Sequence, residues 1–150
     1  MSGFSWHLNN WGYVIRCERK NGVQKIILMH RQILNAQHGQ VVDHKNRIKT
    51  DNRKENLRFV TAQQNSYNTR KQDWCLSQYK GVTRIKGRKV DSNLSKPWKA
   101  AIRKAGVDYR LGYFATELEA AMAYDKRALE LFGEFAGLNF PLSITIGLFA

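Results

Sequence analysis

The stretch from Val41 to Arg70, VVDHKNRIKTDNRKENLRFVTAQQNSYNTR, constrains this chain more than any other. An apolar approach, Val41-Val42, ends in Asp43-His44, and a polar, basic loop then runs from Lys45 to Glu55. After Asn56 a short apolar run (Leu57, Phe59, Val60) leads to a Thr suited to capping a helix, then to a helix-like segment with Asn65 and Asn68. The pattern predicts strand, loop, strand, helix. Asp43 and His44 fall at the end of the first strand, and Asn65 falls one turn into the helix.

That order brings a carboxylate, an imidazole and an amide oxygen within reach of one point. A hard divalent cation takes oxygen ligands, which Asp43 and Asn65 supply. The imidazole of His44 is suited to taking a proton from water. Asn56, at the start of the returning strand, is placed to accept a hydrogen bond from His44 and fix its tautomer. The plainer reading is that Asp and Asn in basic loops are turn formers, and Asp51-Asn52 fits that description. A lone His is likewise an ordinary packed residue more often than a base. The four residues together carry the reading.

At these residues the stretch resembles the HNH endonucleases of phage and intron homing enzymes. The matching text is His30-Arg31, Val41 to His44, DNRKENLR at Asp51 to Arg58, and QQNSYN at Gln63 to Asn68. The resemblance implies a ββα-metal nuclease site holding one Mg²⁺ or Mn²⁺. His44 would be the general base, Asp43 and Asn65 the metal ligands, and Asn56 the residue orienting His44. His30 and Arg31 read as braces of the fold or as DNA contacts.

Composition agrees with a nucleic-acid partner. The formal net charge is +13 over 150 residues, with a pI near 10.0, which points to a polyanion. Residues 1–77 carry 13 Lys/Arg against 5 Asp/Glu, and residues 78–150 carry 12 against 7, so both halves face the same partner. Cys17 and Cys75 stand alone, without the CxxC pairing of a structural zinc site, and are expected as free thiols. The apolar run from Leu142 to Ala150 is far shorter than the ~20 residues that span a bilayer. No membrane association is expected, and a bacterial or phage-infected cytoplasm is the expected compartment.

Upstream, Tyr13 to Arg19 and Val23 to Met29 read as strands joined at Lys20-Asn21-Gly22, with an Asn-Gly turn signal. The second strand is expected to end at His30-Arg31, and Trp6, Trp11 and Tyr13 read as core. This region starts abruptly beside the resembling family, as though truncated, which leaves strand order open.

From Tyr79 the pattern changes. Lys80 to Lys86, Pro97 to Lys104 and Asp108 to Phe114 read as three strands, joined by a long polar loop (Gly87 to Lys96) and a tight turn (Ala105-Gly106-Val107). Alternation puts Trp98, Ala100 and Ile102 on one face and Lys99, Ala101 and Arg103 on the other. Thr116 with Glu119 forms a capping box for a helix to about Phe132, stopped by Gly133. Its expected apolar stripe is Leu118, Ala121, Met122, Ala128, Leu129 and Phe132. The helix then covers one face of the sheet and leaves the other open and basic, suited to the major groove.

This half resembles the Apetala-type domain of plant ethylene-response factors, through YKGV at Tyr79 to Val82, WKAAIR at Trp98 to Arg103, LGYF at Leu111 to Phe114, and Glu119 to Phe140. The resemblance implies DNA binding through the sheet. Lys80, Thr83, Ile85, Ala101, Arg103, Asp108 and Arg110 occupy the contacting positions, of which Lys80, Thr83, Arg103 and Arg110 suit DNA. Ile85, Ala101 and Asp108 depart from the plant pattern, so its GC-rich target does not carry over.

The expected fold class is α+β: a β-hairpin and nuclease fold over residues 1–72, a linker at 73–78, a three-stranded antiparallel sheet on one helix over 79–141, and a tail at 142–150. The expected function is metal-dependent hydrolysis of double-stranded DNA by a homing-type endonuclease, acting as a monomer or transient dimer. The rival is a DNA-binding regulator whose HNH half is only a scaffold. A third reading, RNA binding, rests on charge alone.

Overall fold

Residues 5–69, 76–85 and 95–142 are described in a computed structural model of the chain. Their packing divides into two units, Met1–Ser66 and Tyr67–Ala150.

In the first unit, Asn21 and Gly22 both adopt positive φ, 49° and 77°. A two-residue turn of that hand matches the twist of the strands it joins. It links β2 (Val14–Lys20) to β3 (Val23–Leu28), and β1 (His7–Leu8) completes an antiparallel sheet in the order β1-β2-β3. The returning strand stops one residue earlier than its apolar run suggests. Met29, His30, Arg31 and Gln32 lack β-branching and instead open a short helix, α1 (Met29–Ile33). His30 therefore lies buried on a helical turn, not at a strand end.

Trp11 is not core. It is 74% exposed, because it rides on a turn where Asn9 Oδ1 accepts hydrogen bonds from the backbone N–H groups of Trp11 (3.0 Å) and Tyr13 (2.9 Å). Trp6 and Tyr13 are half-buried.

The order strand, loop, strand, helix is present. β4 (Val41–His44) pairs antiparallel with β5 (Leu57–Val60), after a single 3-10 turn at Lys54–Asn56. α2 (Ala62–Tyr67) begins at a reciprocal cap. Gln64 N donates to Thr61 Oγ1 at 3.1 Å, and Thr61 N donates to Gln64 Oε1 at 2.8 Å.

The second unit has a three-stranded sheet, β6 (Val82–Arg84), β7 (Trp98–Lys104) and β8 (Val107–Phe114), in that order and antiparallel, backed by α3 (Glu117–Phe132). The first strand is shorter than expected because Lys80 and Gly81 belong to a turn, and Lys86 lies outside the described residues. Most of the loop at 87–96, the first half of the linker (73–75, with Cys75), and the tail after Leu142 also lie outside them. The capping box at Thr116 and Glu119 is present, and Gly133 ends the helix with φ 54°.

The buried stripe of α3 is rotated from the expected one. Ala120, Ala121, Tyr124, Asp125 and Ala128 face the sheet with Phe132, whereas Leu118 is 50% exposed. Small alanines sit where helix and sheet approach most closely, against Val82 and Ala100, and the larger leucine has no room there. Asp125 is fully buried, and its carboxylate accepts from Asn139 N, Asn139 Nδ2 and Phe140 N at 2.9–3.0 Å. Asn139 in turn clasps the backbone of Lys80 (2.7 and 3.1 Å), tying the chain after the helix to the start of the sheet.

The elements are mixed helix and antiparallel strand, an α+β arrangement. Among the described residues, no helix is long and apolar enough to cross a membrane.

Candidate active site

The β4–β5 register decides what each side chain of the Asp43-His44 pair meets. Asp43 lies opposite Arg58, and His44 opposite Leu57. Consecutive strand residues point to opposite faces, so the carboxylate and the imidazole acquire different neighbours.

On one side, His44 is 5% exposed and packs against other rings. His30 from α1 meets it edge-on at 5.1 Å between centroids, and Tyr13, just before β2, lies 6.2 Å away. His44 Nε2 is 3.2 Å from Asn52 Oδ1. The amide of Asn52 is set by its other end, because Nδ2 donates to Thr50 O at 3.3 Å. Its oxygen therefore faces the imidazole and draws the proton to Nε2, which leaves Nδ1 as the basic nitrogen.

Asn56, expected to orient His44, makes no direct hydrogen bond to it. Its Oδ1 accepts from Asn46 N (3.0 Å), while Nδ2 donates to Asn46 Oδ1 (3.0 Å) and Asp51 O (2.7 Å). Those bonds close the loop on itself. Asp51 joins the same staple: Asn46 Nδ2 donates to it at 2.6 Å, and the Arg53 fork donates to both its oxygens at 2.8 Å. The Arg53 bond holds the Asp51 carboxyl well below the usual carboxylate range. Asn56 builds the loop, and Asn52, read as a turn former, reaches the imidazole.

On the other side, Arg58 donates Nε (3.0 Å) and Nη2 (2.9 Å) to Asp43 Oδ2, with the side chains 10% and 9% exposed. Arg58 was not expected at the site, though opposite charges at facing strand positions are a legible signal. Asn65 is exposed on α2. Among the described residues it shares no hydrogen bond with Asp43 or His44. With His30, Tyr13, Val41 and Val42 it lines a cavity of about 510 Å³.

His30 is 6% exposed, and its Nδ1 has no hydrogen-bond partner among the described residues. Its pKa is pulled down to about 4, first by burial, then by the nearby charges of His44 and Arg31. It is a neutral packing ring. Arg31 donates to Gln40 O (2.6 Å) and Gln37 O (2.8 Å), so it braces the connection to β4.

Among the described residues there is no cluster of three His, Cys, Asp or Glu side chains. Asp43 and Asn65 carry oxygen donors of the type that a hard cation such as Mg²⁺ takes, and Oδ2 of Asp43 is already engaged by Arg58.

In the second unit the open face of the sheet presents Thr83, Arg103, Arg110 and Tyr113, all exposed, with half-buried Lys99 across from Tyr113. Lys99 and Tyr113 had not been singled out as contacts. Arg103 forks onto the facing Asp108, at 2.7 and 2.9 Å. Lys80 is diverted from this face. Its ammonium donates to Tyr67 O (2.7 Å) and Thr69 O (2.9 Å), both within the second unit. Ile85 and Ala101 are half-buried.

A family model described as HNH endonuclease matches residues 28–67, the span from α1 to the end of α2. An uncharacterized HNH endonuclease of Acanthamoeba polyphaga mimivirus is 33% identical over 145 residues, covering 93% of this chain and 68% of the relative. No solved structure matches the chain. With His44, Asp43 and Asn65 inside the matched span and the similarity to the mimivirus protein running nearly end to end, the chain belongs to the HNH endonuclease family.

Proposed function

We propose that the chain is a metal-dependent DNA endonuclease of homing type, with His44 as general base and Asp43 and Asn65 as metal ligands. The observation that carries this reading is the buried imidazole of His44, held by Asn52 one residue after Asp43 at the end of β4. An imidazole fixed at Nε2 takes a proton at Nδ1 from the attacking water, with general-base help worth ~10²–10⁴-fold. A divalent ion, when bound, supplies charge stabilisation of the phosphoryl oxygens and of the leaving 3′-oxygen. Asn56 and Asp51 keep the 45–56 loop closed so that Asn52 stays against the ring. The products are 3′-hydroxyl and 5′-phosphate ends. One such site cuts one strand, so a monomer nicks and a double-strand break takes a dimer or a second visit.

The second unit binds double-stranded DNA through its open sheet face in the Apetala-type manner, with Arg110, Thr83 and Lys99 toward the duplex. The basic balance of both halves supports this. The rival, a DNA-binding regulator on an inactive scaffold, is favoured by one observation: Arg58 already neutralises Asp43.

Conversion of supercoiled plasmid in Mg²⁺ or Mn²⁺, with and without EDTA, separates the two. Wild-type protein nicks in a metal-dependent way and His44→Ala does not, while both bind DNA alike. Equal cleavage by the His44→Ala protein would sink the assigned base. Tight binding without cleavage, on a plasmid carrying the genuine target, would establish the regulator.

A further inference from the structure

The Asp43–Arg58 pair has an unusual form for a carboxylate read as a metal ligand. Its position follows from strand register, so it is built into the hairpin and is not an accident of two long surface side chains. Two N–H groups of the guanidinium converge on one oxygen, Oδ2, and both side chains are about nine-tenths buried. A carboxylate buried to that degree needs a counter-charge at all times, since removing one partner of a buried pair leaves an uncompensated ion. Arg58 supplies that counter-charge.

A cation arriving at Asp43 therefore does not fill a waiting site. It competes with a group that already satisfies the same oxygen. We propose that Arg58 is the internal counter-ion of the metal site: it holds Asp43 while no divalent ion is bound, yields it when one arrives, and thereby sets how tightly this chain holds metal. The proposal rests on the reading of Asp43 as a ligand.

A consequence for function follows from the chemistry of the displaced group. A guanidinium is a planar fork suited to phosphate oxygens. A DNA phosphate that accepts Arg58 removes the competitor from Asp43, so DNA and metal each tighten the binding of the other, equally by reciprocity. The nuclease then holds its metal weakly until it is on DNA.

The test is calorimetric titration of the full chain with Mn²⁺, comparing wild type with Arg58→Gln, Arg58→Lys, Asp43→Asn and the exposed control Lys54→Gln. Arg58→Gln binds Mn²⁺ about tenfold or more tightly than wild type, whereas Lys54→Gln changes affinity by less than about twofold because exposed charges are screened. In EDTA the thermal midpoint of Arg58→Gln falls, and Mn²⁺ restores it further than it raises that of wild type. Arg58→Lys retains charge without the fork and binds with intermediate affinity; it carries the comparison if the Gln variant does not fold. In a His44→Ala background, a mixed-sequence duplex tightens Mn²⁺ binding, and adding Arg58→Gln removes that coupling. Unchanged or weaker Mn²⁺ affinity in folded Arg58→Gln, with binding lost in Asp43→Asn, would overturn the proposal alone. Wild-type affinity in Asp43→Asn would overturn it together with the assignment of Asp43 as a ligand.

Discussion

Between Tyr13 and His44, the His30 ring keeps its Nδ1 buried without a hydrogen-bond partner among the described residues. Folded His30 takes up its proton only near pH 4, whereas the unfolded chain does so near 6.5. Within that window the unfolded state binds more protons, so the contribution of His30 to stability is intact above about 6.5 and is lost as the pH falls toward 4. The loss is on the order of 2 kcal/mol once screening at the ring edge is allowed for. Urea unfolding across this range detects it, and His30→Phe flattens the slope; an unchanged slope assigns the acid limb to other groups. Asn52 has a different signature. Asn52→Leu removes the acceptor at Nε2 and lowers the cleavage rate by ~10–100-fold while DNA affinity holds. Full activity in that variant would remove Asn52 from the mechanism. The places of Asp43 and His44 at the end of β4 and of Asn65 on α2 were legible, because the strand-loop-strand-helix pattern fixes them. Asn52 was not, since an Asp-Asn dipeptide in a basic loop signals a turn, and only the closed loop carries its amide to the imidazole.

At the scale of elements, local chemistry was the readable part. The Asn21-Gly22 turn and the cap at Thr116 with Glu119 formed as their residues required, because each depends on backbone conformation within a few positions. What depended on packing was read less well. The face of α3 was misjudged by its apolar residues alone, since the sheet selects small alanines and a buried Asp125 that serves the chain at Asn139. Gly81 belongs to the same class. Its φ of 77° is left-handed, and a Cβ there would collide with the Tyr124 ring and come within 2.9 Å of Ala101 O. Gly81→Ala is therefore expected to destabilise the protein by about 3 kcal/mol or more. Gly22, with the same φ of 77° and nothing within 4 Å, isolates backbone strain, so Gly22→Ala costs only about 1 kcal/mol. Equal shifts in their denaturation midpoints would show that the Tyr124 contact adds nothing.

For the whole molecule, a charge of +13 was plain from composition and announced a polyanion, but charge alone does not say which side chains meet it. Each phosphate neutralised steepens the dependence of affinity on salt by about 0.9 in log–log slope. Arg103 and Arg110 look alike in the sequence, yet their surroundings make them unequal. Arg103 already forks onto Asp108, which holds that carboxyl below its usual range, whereas Arg110 stands exposed on the same strand as Asp108. If the sheet meets DNA as proposed, Arg110→Ala lowers affinity and flattens the salt slope by about one unit. Asp108→Ala acts in the opposite direction, because it releases Arg103 to a phosphate and removes a negative charge from the face. Anisotropy titrations of a labelled duplex over a range of salt concentrations measure both slopes. Opposite changes in the two variants place the duplex on this face, with the Arg103–Asp108 pair as its brake. Wild-type slopes in both would put the DNA elsewhere and leave the basic sheet as a solvated surface.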